Sequence, residues 1–488
     1  MRLQACFARL GVVLVAVALG VLGFSASASA ESKTLKPGGE TEYMVPTGVK
    51  LIQVIAVGGS GESGPIGGGG GSGALVKAVL AVSGGATLHA QFGGGGSGGT
   101  SSFPGGSGGG RSELLSSEPL VVAGGGGGGA AGNVNGVYGG EGGSAQAGKL
   151  AGGNGGNGNV ANSGGEGGGE VSPGKGGSGD CPGSPGSGST GGNGAGGCSS
   201  GFLPFSSGGG GGGYRGGGGG GASSEEQQVA GGGGAGSSYI DTAKGTGSVA
   251  VNTSEPQEIV IAPVTPLNAG TTSCNGVYNG TGTTVQVPAG GHCTLLAGTK
   301  VTDNVQALKP GGVLVDEGAA IGGSLELEGA ASIELYGGGS IAGNLVVTGL
   351  AGAPAGGDNA LCATTIHGYT HVFSNGSHSP IDIGDTGACA GKPGLTSSGL
   401  MQVDGNAANI TIAGNTLAGY LHVWVNRSKL TVSANTASNI QVNKNTGGVG
   451  STLTGNTSRQ ACELAANSPK IEGASNKANT ADTCNRTA

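Results

Sequence analysis

Apolar and polar positions follow two different rules along this chain. From residue 271 onward they repeat. Val301, Ile321 and Ile341 stand 20 apart, as do Val305, Leu325 and Leu345, and Ala307, Leu327 and Val347; Val313 and Val315 map onto Ile333 and Leu335 by the same shift of 20. Leu325-Glu-Leu-Glu328 and Leu421-His-Val423 alternate apolar with polar, the period of a strand with one buried face. Short strands and turn residues at this spacing predict a β-solenoid over 271–488, a right-handed parallel β-helix whose rungs of about 20 residues stack their inward side chains. The alternative is an antiparallel sandwich, against which the repeated register argues. Asn406, Asn415, Asn426, Asn435, Asn445, Asn456, Asn467 and Asn476 recur every 9 to 11 residues. Asparagine at a fixed corner can take a left-handed turn, and stacked asparagines can bond along the axis.

Residues 31–253 obey the other rule. Leu51–Val57, Ala74–Val82, Thr87–Phe92, Leu120–Ala123, Ser237–Ile240 and Ser248–Val251 are apolar or β-branched runs and read as short strands of a sandwich or barrel. Between them lie glycine runs at Gly67–Gly71, Gly93–Gly96, Gly124–Gly129, Gly208–Gly213, Gly216–Gly221 and Gly231–Gly234. Glycine fills 120 of 488 positions, and composition alone would make this a flexible linker. The framing strands argue for order instead. Ordering glycine costs more backbone entropy than ordering any other residue, so every N–H and C=O must find a partner. Extended three-fold glycine helices can meet that demand by bonding sideways, with the steric logic of collagen but no strict G-X-Y repeat. Pro256, Pro263 and Pro266 mark residues 254–270 as a linker to the solenoid half.

The order of these segments is strand, glycine run and strand, then Ser101-Ser-Phe103 and Leu120–Gly129. Later come Gly208–Gly213-Tyr214-Arg215-Gly216–Gly221 and Gly236-Ser-Ser-Tyr239 before a closing strand. Over residues 38–252 this resembles the glycine-rich domain in the ectodomains of anaplastic lymphoma kinase and leukocyte tyrosine kinase receptors, with similar modules in bacterial surface proteins and phage tail-tip adhesins. The resemblance implies a β-sandwich carrying packed polyglycine II helices. It implies no kinase activity, since no kinase catalytic loop, D-F-G or Walker motif is present. Asn133–Ser207 reads as an insertion whose order the sequence leaves open. The solenoid half resembles secreted actinobacterial repeat proteins that end in N-S-P, a late G-x-x-N and a final cysteine, here Asn467-Ser-Pro469, Gly473–Asn476 and Cys484.

Arg2 and Arg9, the apolar run Leu10–Phe24 and Ala28-Ser29-Ala30 predict a cleaved signal peptide at residues 1–30 and no transmembrane segment in the mature chain. Cleavage takes the formal charge from −7 to −9, which disfavours nucleic acid as a partner. Aromatics are 3% of residues, too few for ordinary globular cores. Beyond Cys6 the eight cysteines form neighbouring pairs, Cys181/Cys198, Cys274/Cys293, Cys362/Cys389 and Cys462/Cys484, separated by 17, 19, 27 and 22 residues. An even count in an exported chain points to disulfides, and neighbour pairing closes the shortest loops. The absence of C-x₂-C argues against zinc.

Few constellations suggest chemistry. His367, His371 and His378 fall between Cys362 and Cys389. H-x₃-H on a helix would suit a metal, but Ile366–Phe373 reads as strand and turn. Surface histidines are the simpler reading and a metal site the alternative. Asp303, Asp316, Glu317, Glu326, Glu328 and Glu334 are the carboxylates a polysaccharide lyase or hydrolase on a β-helix would draw on; stacking would set Glu326 between Gln306 and Val346, on a solvated row. G-x-G-x-x-G matches are automatic in glycine runs and none continues to G-K-[ST]. The match of Gly95-Gly-Ser-Gly-Gly99 to a nucleophile elbow is likewise compositional. No catalytic residue, cofactor or metal is therefore expected. Sequons stand at Asn252, Asn279, Asn375, Asn409, Asn426, Asn456 and Asn485. The expectation is a secreted, non-enzymatic protein of the extracellular space or cell surface. It would recognise or adhere to an extracellular protein or polysaccharide and serve as a scaffold. A polysaccharide-acting enzyme and a structural coat or matrix protein are the alternatives.

Overall fold

The computed structural model describes residues 32–485 apart from 66, 133–138, 159–162, 197–204, 223–229, 308–310, 352–358 and 377–379. The expected signal peptide, Cys198 and His378 lie outside the described residues. Every regular element among the described residues is a strand, save one short 3-10 turn at Gly387–Cys389.

The second half is a parallel β-solenoid of about 10 turns. One turn passes through strands Ala320–Ile321, Leu325–Glu328 and Ser332–Leu335, and Ser340–Ile341 opens the next. Each strand pairs in parallel with its counterpart a turn later, Ile321 with Ile341 and Leu325 with Leu345. Three sheets result, with 11 strands, 10 strands and the solenoid part of a 15-stranded sheet. Inward positions form one continuous core in which Leu325, Leu327, Ile333, Leu335 and Ile341 are fully buried, each worth about 1.5–3 kcal/mol against exposure.

Between Lys300 and Thr348 the 20-residue register holds on two of the three sheets. On the third it slips by one. Leu314 pairs with Ile333 and Asp316 with Leu335, so Val313 and Val315 lie opposite Ser332 and Glu334. A one-residue slip turns side chains to the other face. The inward residues here are Leu314 and Asp316, and Val315 faces the glycine-rich half.

The recurrent asparagines form two buried ladders, one running Asn375, Asn406, Asn426, Asn445 and Asn467, the other Asn415, Asn435, Asn456 and Asn476. At each step the side-chain amide and the backbone N–H both donate to the Oδ1 of the next asparagine, as from Asn406 to Asn426 at 2.9 and 3.1 Å. The left-handed conformation belongs to the residue before each asparagine, including Ser374, Val425, Ala434, Lys444, Ala466 and Ser475. The asparagine itself must point inward to reach both neighbours, and the preceding residue makes the corner.

The stretch 254–270, expected as a linker, contains a nine-residue strand, Glu258–Pro266. Its alternation buries Ile259 and Ile261, a strand pattern that outweighs its prolines. Residues up to Pro263 pair antiparallel with Leu51–Val57; from Val264 the strand pairs in parallel with Gly276–Asn279, the solenoid's first rung on that face. Pro263, which has no N–H, sits where the partner changes. One sheet therefore runs unbroken through both halves.

In the first half, Leu51–Val57, Ala74–Ala81 and Gly245–Val251 extend that sheet. A separate antiparallel sheet holds Glu42–Met44, Thr87–Gly93, Arg111–Leu115, Pro119–Ala123 and Tyr239–Ile240. Both contribute to one core of small aliphatics, among them Ile52, Val54, Val76, Leu80, Leu114, Val121 and Ile259. Apart from Gly93, the described glycine runs lie outside the strands but are not free. Gly126, Gly127 and Gly128 donate to Gly59, Gly143 and Gly209, three different segments, at 2.8–2.9 Å. The pattern repeats every third residue: Gly125, Gly128 and Ala131 bond to Gly212, Gly209 and Ser206 in turn. A Cβ on Gly127 would stand 2.0 Å from the Gly233 oxygen, so only glycine permits this approach. Described residues of the 133–207 segment join the network, as Gly143 N–H to Gly233 and Gly177 N–H to Gly219.

Candidate functional site

A departure from a plain solenoid surface lies on the outer face of the 11-stranded sheet. Two turns carry almost the same string, Gly368-Tyr-Thr-His-Val-Phe373 and Gly419-Tyr-Leu-His-Val-Trp424. Their strands, Thr370–Phe373 and Leu421–Trp424, are separated by one strand, Met401–Asp404. The register sets His371, Gln402 and His422 in one column and Phe373, Asp404 and Trp424 in the next. Thr370, Val372, Leu421 and Val423 are buried inward, which turns Tyr369, His371 and Phe373, and likewise Tyr420, His422 and Trp424, outward. The two aromatic rows are two strand spacings apart, about 10 Å.

Each row is internally stacked. The His371 ring lies 4.1 Å from Phe373, and His422 lies 5.0 Å from Trp424, centroid to centroid. Tyr369 and Tyr420 are 45% and 52% exposed. In the row between, Asp404 Oδ1 pairs with His371 Nε2 at 2.7 Å and accepts from Gln402 Nε2 at 3.1 Å. Burial lowers the pKa of His422, against the opposing pull of Asp404 and Glu463, so its ring favours the neutral form. The same columns continue to Gln441 and Asn443 on one side and to Val346 and Thr348, then Glu326 and Glu328, on the other. None of these positions holds a lysine or arginine, so the face is acidic and rich in hydrogen-bonding groups.

A second feature lies at the junction of the halves. Lys77 Nζ meets Glu317 Oε1 at 2.6 Å, and Gln53 Nε2 donates to the same carboxylate at 3.2 Å. Lys77 also reaches the Tyr336 hydroxyl at 3.4 Å, and the Lys392 ammonium sits 4.0 Å over the Tyr336 ring. Burial alone would lower the Lys77 pKa, but Tyr336 and Glu317 raise it above the ordinary value. Lys392 is lowered by burial and by Lys77. A cleft of about 450 Å³ opens beside this cluster, and another of about 640 Å³ includes His292 and Glu334.

The sequence-derived candidates scatter. Asp316 is 2% exposed and locks a turn by accepting from the Gly318 and Ala319 N–H groups. Burial pushes its pKa up to about 6. Glu317 and Glu334 line the junction cleft. Glu326 lies between Gln306 and Val346 as the period predicts, and Glu328 faces outward beside it. Asp303 is exposed and accepts from the Thr284 hydroxyl. His367 lies on an exposed turn, apart from His371. The one metal-like cluster among the described residues, Cys462, Asp482 and Cys484, is ruled out because its two sulfurs form a disulfide. Cys274–Cys293, Cys362–Cys389 and Cys462–Cys484 pair as neighbours, and Cys181 is also disulfide-bonded. Of the sequons, Asn252, Asn375, Asn426 and Asn456 are buried, and the last three serve the ladders. The duplicated Gly-Tyr-x-His-Val-aromatic string was missed because its copies lie 51 residues apart, which is no multiple of 20. One intervening turn carries a longer loop.

No protein-family model matches this chain, and no curated protein matches it.

Proposed function

We propose that this is a secreted, non-enzymatic recognition protein that binds an extracellular protein or polysaccharide through the outer face of its solenoid. The observation that carries the reading is the pair of Tyr-x-His-x-aromatic rows, Tyr369–Phe373 and Tyr420–Trp424. Tyr369 and Tyr420 are exposed aromatics in a chain that uses few, and neither belongs to the solenoid core. The sheet running through both halves is not the one that carries the aromatic rows, and it joins the glycine-rich half to the solenoid behind that face. We read that half as a β-sandwich carrying packed polyglycine II helices, like the receptor ectodomain module it resembles. The three-residue hydrogen-bond period supports this reading. Three disulfides fit an oxidising, extracellular setting, and no helix among the described residues is long and apolar enough to cross a membrane. The test is retention of the mature chain on cell-surface preparations and glycan arrays, beside a variant with Tyr369→Ala and Tyr420→Ala. Loss of retention in the variant is expected; equal retention sinks the reading.

A second reading has its own observation. Glu317 and Glu334 share the junction cleft with Lys77 and Tyr336, a grouping of carboxylates and base that suits a polysaccharide-acting enzyme. Turnover of a uronic-acid or peptidoglycan polymer, abolished by Glu334→Gln, would establish it.

A further inference from the structure

The face described above narrows its ligand. We propose that it binds an uncharged, β-1,4-linked polysaccharide lying along the solenoid axis, with sugar rings stacked on the Phe373 and Trp424 rows. This rests on the reading of that face as a recognition surface and adds the ligand class.

Three observations carry it. First, spacing: the aromatic rows repeat after two strands, about 10 Å. An extended β-1,4-linked chain turns each sugar over relative to the last, so the same ring face recurs every second residue, over a similar distance. A straight, parallel sheet face matches a straight polymer. Second, chemistry: stacked rings offer apolar platforms to the C–H faces of sugars. Gln402 and Asp404 between the rows, and Gln441 and Asn443 beyond them, offer donors and acceptors to hydroxyls. Third, charge: the face holds Asp404, Glu326, Glu328 and Glu463 in its outward columns and no lysine or arginine. Uronic-acid polymers and nucleic acids would be repelled. Uncharged chains would not.

Trp424 is the only tryptophan in the chain, so its fluorescence reports on this face alone. The experiment titrates the full mature protein with cellohexaose, with chitohexaose and with polygalacturonate, following fluorescence and calorimetry in parallel. A saturable change at Trp424 is expected with at least one hexasaccharide and none with polygalacturonate. By calorimetry, Tyr369→Ala with Tyr420→Ala, and separately Trp424→Ala, should weaken binding at least 10-fold, while Trp424→Phe stays within about 3-fold of the parent. Urea unfolding of each variant confirms that it folds. A saturable response to polygalacturonate alone overturns the ligand class and leaves the face as a recognition surface. Hexasaccharide heat with no change at Trp424 and no effect of the tyrosine variant moves the site elsewhere and overturns both readings. No heat with any of the three overturns the polysaccharide proposal, and the retention assay above then judges the face independently.

Discussion

Asn426→Ala should be among the most damaging small substitutions in the solenoid. The side chain is 1% exposed and makes four hydrogen bonds. Nδ2 donates to the Val403 carbonyl at 2.9 Å and to Asn445 Oδ1 at 3.0 Å; Oδ1 accepts from Asn406 N–H and Asn406 Nδ2. Truncation does not harm all four partners equally. Asn445 Oδ1 keeps the Asn426 backbone N–H, and Asn406 Nδ2 keeps the Val372 carbonyl. The Asn406 N–H is left without a partner, while the Val403 carbonyl loses one bond but keeps its place in the sheet ladder. At roughly 1–3 kcal/mol for the buried unsatisfied N–H and about 1 kcal/mol for the lost second bond, the loss is about 3 kcal/mol. The assay is urea unfolding, read as a lower midpoint at unchanged slope. Asn426→Asp sharpens the test, because it places an acceptor where Nδ2 faces two acceptors. Its folded-state pKa should rise, so its stability is fullest below the unfolded pKa and is lost as pH climbs through the folded value. At pH 7 it should be worse than the alanine variant, and at pH 4 it should recover. A cost under about 1 kcal/mol for Asn426→Ala, or an aspartate no worse than alanine at pH 7, would refute the ladder account.

Gly127→Ala, whose Cβ would stand 2.0 Å from a carbonyl oxygen, should cost about 3 kcal/mol or more and abolish slow amide exchange in the glycine runs. Gly69→Ala, with nothing within 4 Å of its Cβ, should cost about 0.5 kcal/mol or less. Asp316, raised from 3.8 to about 6, should remove about 3 kcal/mol of stability as pH rises from 4 through 6. Asp316→Asn keeps the Oδ1 acceptor and should flatten that part of the pH profile of urea midpoints. Replacing Cys462 and Cys484 by alanine opens a link between residues 22 apart. It should cost about 3 kcal/mol, with amide protection lost first in the last turn.

Much of the solenoid was legible because its core obeys one rule, and Val305, Leu325 and Leu345 can stack only if the turns repeat. The slip at Leu314 was not legible. Val313-Leu-Val315 is apolar on either parity, so its own hydrophobicity cannot choose the inward set, and only pairing with the alternating Ser332-Ile-Glu-Leu335 selects Leu314. The strand at Glu258–Pro266 was hidden behind its prolines, although Ile259-Val-Ile261 is a β-branched apolar run. The asparagine spacing revealed the ladders but not their corner, because backbone handedness at Val425 or Lys444 leaves no mark in residue type. His367, His371 and His378 stood as the weaker, metal-binding alternative to surface histidines, whereas in the structure His371, and His422 outside that set, stack on the rings beside them. Seeing that requires the register, which sequence spacing broken by a long loop does not supply.

That register also bears on the role proposed for the aromatic rows. Among the described residues the solenoid core is mostly aliphatic, with Tyr278 its one aromatic residue. The fold therefore does not draw on Tyr369 or Tyr420, both of which are substantially exposed. If they served stability, removing them would expose apolar neighbours or break hydrogen bonds, and the cost would reach 1 kcal/mol or more. Their positions instead predict that Tyr369→Ala with Tyr420→Ala shifts stability by about 0.5 kcal/mol or less while abolishing surface retention. Separation of the two readouts is the signature of side chains kept for a partner. A double variant that loses both together would place the tyrosines in the fold and leave the outer face without a function of its own.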